Sequence, residues 1–173
     1  GSVVFLPLAA SAVMRLLRAL GELEGDLLRT DANPVEPIRG SVFQLALAQR
    51  LTLRLTMPDT PGVFPLLALG ERSNLRCGVV LRSSRKLKAP ALAPQSQQWA
   101  GSLDFSQDRQ LRAKTPLAVR AADNTIPVAL TGPAPKYTWG LNHRFYPYRD
   151  PYWVDEGQRV EMVFTNPTPM RHP

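Results

Sequence analysis

Cysteine is almost absent from this chain of 173 residues, with one thiol at Cys77. One thiol cannot close an internal disulfide, and zinc sites built on repeated cysteine pairs are excluded. Histidine is nearly as scarce, at His143 and His172. Neither has a motif around it that marks a base, so no Ser/His/Asp arrangement can be read from spacing. No glycine-rich loop matches a phosphate cradle. Long apolar runs are missing too. Residues 3–14 are largely apolar, but that stretch is short of the roughly 20 residues needed to span a bilayer.

The same stretch contains Ala10-Ser11-Ala12, a small-residue pattern like a cleavage site. It has no initiating Met and no basic segment before it, so a signal peptide is not expected. Gly1-Ser2 reads as an expression remnant, and the chain reads as cut at both ends.

What is present is apolar and proline-rich. Hydrophobic residues make up 44% of the chain, which is not a disordered composition. A compact fold of this size buries about two-thirds of its unfolded surface. Seventeen prolines, about twice the usual share, sit mostly between apolar runs. Many turns and few long helices follow. The net charge is +7, with cations clustered at Arg82, Arg85, Lys86 and Lys88 and again at Arg109, Arg112 and Lys114. These clusters flank the most loop-like part of the chain and read as a solvated linker. The competing reading, a basic module binding polyanions, predicts strongly salt-dependent binding. No nucleic-acid motif accompanies it.

Period-two alternation is the main structural signal. Phe43, Leu45 and Leu47 alternate with Gln44, Ala46 and Ala48. Leu51, Leu53, Leu55 and Met57 then alternate with Thr52, Arg54 and Thr56. One face is apolar and the other wet, the mark of a half-buried antiparallel strand. Residues 58–62 form a strong turn signal, and residues 63–69 and 78–81 are the next strands. Residues 26–30 read as a strand followed by a turn at 31–34. Residues 13–20 fit a short helix or a strand equally. Weaker strands are expected at 117–119 and 127–130, and stronger ones around Trp139, Leu141 and residues 160–164. Cys77 precedes an apolar run and is expected to be a buried small hydrophobe. His143 falls in a turn and reads as a surface residue. The carboxylates Asp31, Glu36, Asp150, Asp155 and Glu156 lie in turns and read as solvated. No catalytic residue is assigned.

Two stretches resemble the multicopper oxidases, the family of laccase-like and copper-resistance enzymes. In the first, residues 26–37 and 45–53 look like a strand, turn and strand of the family's middle domain. In the second, Tyr137-Thr138-Trp139-Gly140-Leu141-Asn142 looks like the opening of the last domain. Asp155 to Asn166 looks like its central strand, and Met170-Arg171-His172-Pro173 is similar to the start of the copper motif. The family usually has Gly after the Asn matching Asn142, where this chain has His143.

The resemblance implies an all-β fold of cupredoxin-like Greek-key sandwiches in two partial domains. Residues 1–88 would end a middle domain, 89–114 would link, and 115–173 would begin a last domain. It implies copper, with His172 matching one imidazole ligand of a type 1 site and the other ligands outside this chain. The activity implied is one-electron oxidation of a small molecule or metal ion coupled to reduction of O2 to water, with the isolated chain inactive. The implied partner is the remainder of the oxidase, or another chain that completes the sheets. The implied location is periplasmic or secreted, with no nucleic-acid partner and no membrane span. The alternative on the same scaffold is a copper-free structural or binding protein of the bacterial periplasm.

Overall fold

The computed structural model describes residues 1–10, 16–19, 23–148, 150–168 and 170. Within them the chain forms twelve strands, one short α-helix and one 3-10 turn at Pro135–Tyr137. In chain order the strands are β1 (Val3–Ala9), β2 (Leu16–Ala19), β3 (Gly25–Thr30), β4 (Asn33–Gly40), β5 (Val42–Leu45) and β6 (Arg50–Thr56). They continue with β7 (Val63–Gly70), β8 (Arg76–Arg82), β9 (Asn124–Ala134), β10 (Thr138–Leu141), β11 (Arg144–Phe145) and β12 (Val160–Thr165). Helix α1 is Ser106–Gln110. The chain divides into two compact units, the first Gly1–Pro116 and the second from Leu117 onward.

The first unit is a sandwich of two four-stranded sheets, ordered β1-β6-β3-β4 and β5-β2-β7-β8. All its strand pairs are antiparallel. The alternation read over 51–57 is the centre of this fold. Leu51, Leu53 and Leu55 of β6 are buried, while Arg50, Arg54 and Thr56 are exposed. Leu27 and Val35 from the same sheet meet Phe43, Leu45 and Leu66 from the other in one apolar cluster. Period-two alternation places each strand's leucines on one side, so the two sheets must close on each other to bury them.

Several expectations are revised. The alternating run over 43–57 is two strands in two different sheets. The chain turns between them at 46–49, where the Gln49 amide oxygen accepts from the Ala46 N–H at 3.0 Å. Ala48 adopts a left-handed φ of 60° there, and its N–H donates to the Ala10 carbonyl. Strand β4, read only as a turn at its start, carries Pro34 and Pro37. A proline cannot donate to a ladder, so such a strand belongs at a sheet edge, and β4 lies at one. The turn before it, Asp31-Ala32, has positive φ at both residues, the geometry of a two-residue hairpin loop. Residues 117–119 form no strand, and Leu117 and Val119 are exposed.

Cys77 is corrected as well: it is exposed. It lies in β8 opposite Ala68, on the side of the sheet that faces the core. But β8 is the edge strand of its sheet, and Val79 on the same side is also exposed. Being on the core side buries a residue only where the opposite sheet reaches it.

Residues 89–114, expected as a linker, are laid along the first unit. Leu75 and Gln95 form a bridge, as do Val35 and Ala113. The Arg72 N–H donates to the Gly101 carbonyl, and the Leu103 N–H to the Glu71 carboxylate at 2.9 Å. The segment then reaches β5, an edge strand. There the Gln107 side chain accepts from the Gln44 N–H and donates to the Gln44 carbonyl, both at 2.9 Å. One amide thus supplies both halves of a β-bridge, and Gln107 is buried.

The second unit is one sheet, ordered β11-β10-β9-β12. β9 pairs antiparallel with β10 and parallel with β12. Ile126 and Val128 of β9 are buried. Their register partners on β12, Met162 and Phe164, remain 45% and 60% exposed.

Candidate functional site

The expected metal ligand, His172, lies outside the described residues. What the structure does describe is the loop that leads to it from β12. Asn166 organises that loop. Its amide oxygen accepts from the Thr168 N–H at 3.1 Å and from the Thr168 hydroxyl at 2.6 Å. Its amide nitrogen donates to the Met170 carbonyl at 2.7 Å. An Asn side chain that bonds its own backbone two residues on makes an Asx turn, which explains why Asn stands at the end of the strand. The Tyr137 hydroxyl lies 3.5 Å from the Met170 sulfur. Tyr137 is itself set edge-on against Trp139, with ring centroids 5.6 Å apart.

The β10–β11 hairpin forms the other side of this region. Asn142 and His143 both have positive φ, 49° and 60°, as a type I′ turn demands. Asn142 fastens the turn to β9: its side-chain oxygen accepts from the Ala129 N–H at 2.7 Å. Its amide nitrogen donates to the Pro127 carbonyl and to the Tyr152 hydroxyl. Glycine is the residue best suited to the second position of such a turn, and His143 occupies it at a steric cost.

Two hollows flank this hairpin. One, of about 290 Å³, is lined by Thr131, Pro133, His143, Phe145, Pro167 and Thr168 among others. It joins the β12 exit loop to the exposed imidazole. The other, of about 330 Å³, is lined by aromatic rings from Trp139, Tyr146 and Tyr152, with Arg144 and Asp150. Arg144 and Asp150 form an ion pair at 3.0 Å. Asp31 is paired with the Arg50 N–H and guanidinium, and Asp155 with the Gln158 amide. None of these carboxylates faces a second carboxylate in the pairs described.

The carboxyl of Asp104, in the first unit, is held well below the usual carboxylate range. The largest cause is the hydrogen bond from the Gln44 amide, followed by those from Ser106, with Arg109 adding a cation nearby. Sequence reading missed this cluster. Gln44 and Asp104 are 60 residues apart, and no local pattern marks their meeting.

Among the described residues no three of His, Cys, Asp and Glu gather as a metal-binding group. Cys77 belongs to the first unit and His143 to the second. No helix among the described residues is long and apolar enough to cross a membrane.

No protein-family model matches the chain. In sequence it is 30% identical over 169 residues to the multicopper oxidase MmcO of Mycobacterium tuberculosis. That match covers 95% of this chain and 32% of MmcO, so the chain spans about a third of the curated relative's length. In fold it is similar to Fet3p, a multicopper oxidase that functions in iron import, with a TM-score of 0.63 at 15% identity. That likeness covers 85% of this chain and 30% of Fet3p. It is also similar to the laccase from Botrytis aclada, with a TM-score of 0.58 at 12% identity, over 83% of this chain and 28% of the laccase. The structural likenesses establish a cupredoxin-like all-β fold.

Proposed function

We propose that these 173 residues serve a multicopper oxidase that couples one-electron oxidation of a reducing substrate to reduction of O2 to water. The observation that carries this reading is the 30% identity to MmcO over nearly the whole chain. On this reading the first unit belongs to a middle cupredoxin-like domain and the second begins the last one. His172 is one imidazole ligand of a type 1 copper, a trigonal site of two imidazoles and a thiolate. The remaining ligands come from sequence outside these residues, and the 173-residue chain alone does not turn over. The complete protein works in the periplasm or outside the cell, where its reductant is a small molecule or a metal ion.

The chain's own contribution is positional. The Asn166 turn fixes the path from β12 to Met170, so a ligand two residues on starts from a defined place. A metal ligand must be held by what surrounds it, and this turn supplies the support.

The test is copper titration of the longer chain translated from the full reading frame. A blue charge-transfer band that His172→Ala abolishes is the expected result. Full-strength copper binding in His172→Ala would refute the ligand assignment. A longer chain that binds no copper would instead favour the copper-free structural role.

A further inference from the structure

Strand β8 is an edge strand, and most of its free side is bare backbone. Its ladder with β7 is bounded at one end by the Ser83 N–H, which donates to the Gly62 carbonyl. At the other end the Gly70 N–H donates to the Leu75 carbonyl. Antiparallel bonding skips every other residue, so the backbone groups of Cys77, Val79 and Leu81 face β7. Those of Arg76, Gly78, Val80 and Arg82 face the other way. The Arg76 N–H uses that side, donating to the Pro94 carbonyl at 2.9 Å. Among the described residues nothing bonds the outward N–H and C=O groups of Gly78, Val80 and Arg82. Gly78 has no side chain to shield them, and a Cβ added there would strike the Leu66 carbonyl.

Charge gathers at the same edge. From Arg72 to Leu103 the chain carries six cations and no Asp or Glu. Arg76 and Arg82 stand at the two ends of β8. Arg85, Lys86 and Lys88 follow, all exposed, on a turn where the Leu87 N–H donates to the Ser84 carbonyl. The Arg82 guanidinium donates to the Leu87 carbonyl and ties this turn to the end of the strand. In the other sheet and its hairpins Arg39, Arg50 and Arg54 each pair with a carboxylate. Among the described residues none of the cations from Arg76 to Lys88 does so.

We infer that the β8 edge is a docking site for an extended acidic peptide of a partner protein, which adds to the sheet as a further strand. Outward N–H and C=O groups together select a backbone that returns both kinds of hydrogen bond. A phosphate polymer has no N–H along its backbone and returns only one. The unpaired cations select carboxylates. Cations on an edge keep two copies of this chain from pairing, since like charges would meet, but they attract an acidic strand. Nothing in this inference depends on copper.

A synthetic peptide of alternating Glu and Val, titrated into the 173-residue chain, tests this. Binding should weaken roughly tenfold between low salt and about 0.5 M, because exposed charges are screened. Hydrogen exchange should show the Gly78 and Val80 amides gaining protection when the peptide binds. Val80→Pro removes one outward N–H and no bond to β7, a change that an edge strand tolerates. Losing that hydrogen bond should weaken binding about fivefold. Arg85→Glu with Lys86→Glu keeps the test open should Val80→Pro fold poorly. That double variant should lose the Glu-Val peptide and gain a Lys-Val peptide. No binding at low salt would overturn the inference. So would equal binding of polyphosphate with no protection at Gly78 and Val80, which would make the edge a general polyanion surface. Protection of those amides without peptide would overturn it too. Seen in the longer chain, it would make the rest of that chain the occupant; seen in the 173-residue chain as concentration rises, a second copy.

Discussion

Replacing Gln107 by alanine should unlatch residues 104–112 from the sandwich. The Gln107 amide makes two hydrogen bonds of 2.9 Å to the backbone of Gln44, and the side chain is buried. A net contribution of about 1 kcal/mol for each bond gives about 2 kcal/mol. Leaving the Gln44 N–H and carbonyl partly buried without partners adds to that, so about 2–3 kcal/mol is expected. For a unit of roughly a hundred residues, 1 kcal/mol moves Tm by about 4 °C, which predicts a fall of about 8–12 °C. Calorimetry or thermal circular dichroism measures this. Hydrogen exchange localises it: amides of β5 should lose protection while those of β6 hold theirs. Trp99→Ala is the control, since Trp99 is 71% exposed. It should shift Tm by no more than a degree or two. If Gln107→Ala also leaves Tm within about 2 °C and β5 protection unchanged, the two-point amide bridge contributes nothing, and residues 89–114 behave as a loose linker.

Three further outcomes are expected. Leu53→Ala, at a position fully buried between the sheets, should cost about 2–5 kcal/mol, read from denaturant unfolding; a cost below about 1 kcal/mol would place Leu53 outside the core. His143→Gly should raise the stability of the second unit by up to about 1 kcal/mol, because it relieves a left-handed φ of 60° in a type I′ turn; a lower Tm would show that the imidazole contributes contacts outweighing the strain. Asp104 has a folded-state pKa below its unfolded value of about 3.9. Its contribution is therefore fully present above about pH 4 and lost as pH falls toward the folded value. Acid unfolding of Asp104→Asn should accordingly fall less steeply below about pH 4 than that of the parent; parallel curves would refute the coupling.

The resemblance to multicopper oxidases was carried by short stretches, and the match to MmcO supports it over nearly the whole chain. The Asn142 turn was legible because a type I′ geometry has a local signature. The Asn166 turn shows the same economy, since its bonds span only two to four residues. The Gln44 cluster was not legible. Its members are brought together by folding, and their residue types are equally at home on any surface.

Strand identity in this protein is a local property. Period two in residues 51–57 is enough to orient Leu51, Leu53 and Leu55, because successive side chains point to opposite faces whatever the rest of the chain does. Which sheet a strand joins, and how far that sheet reaches, is not local. The run over 43–57 reads as one strand until the sandwich divides it, and Cys77 reads as buried until β8 proves to be an edge. Alternation tells a residue which way to face. Only the packed partner decides whether anything is there to cover it.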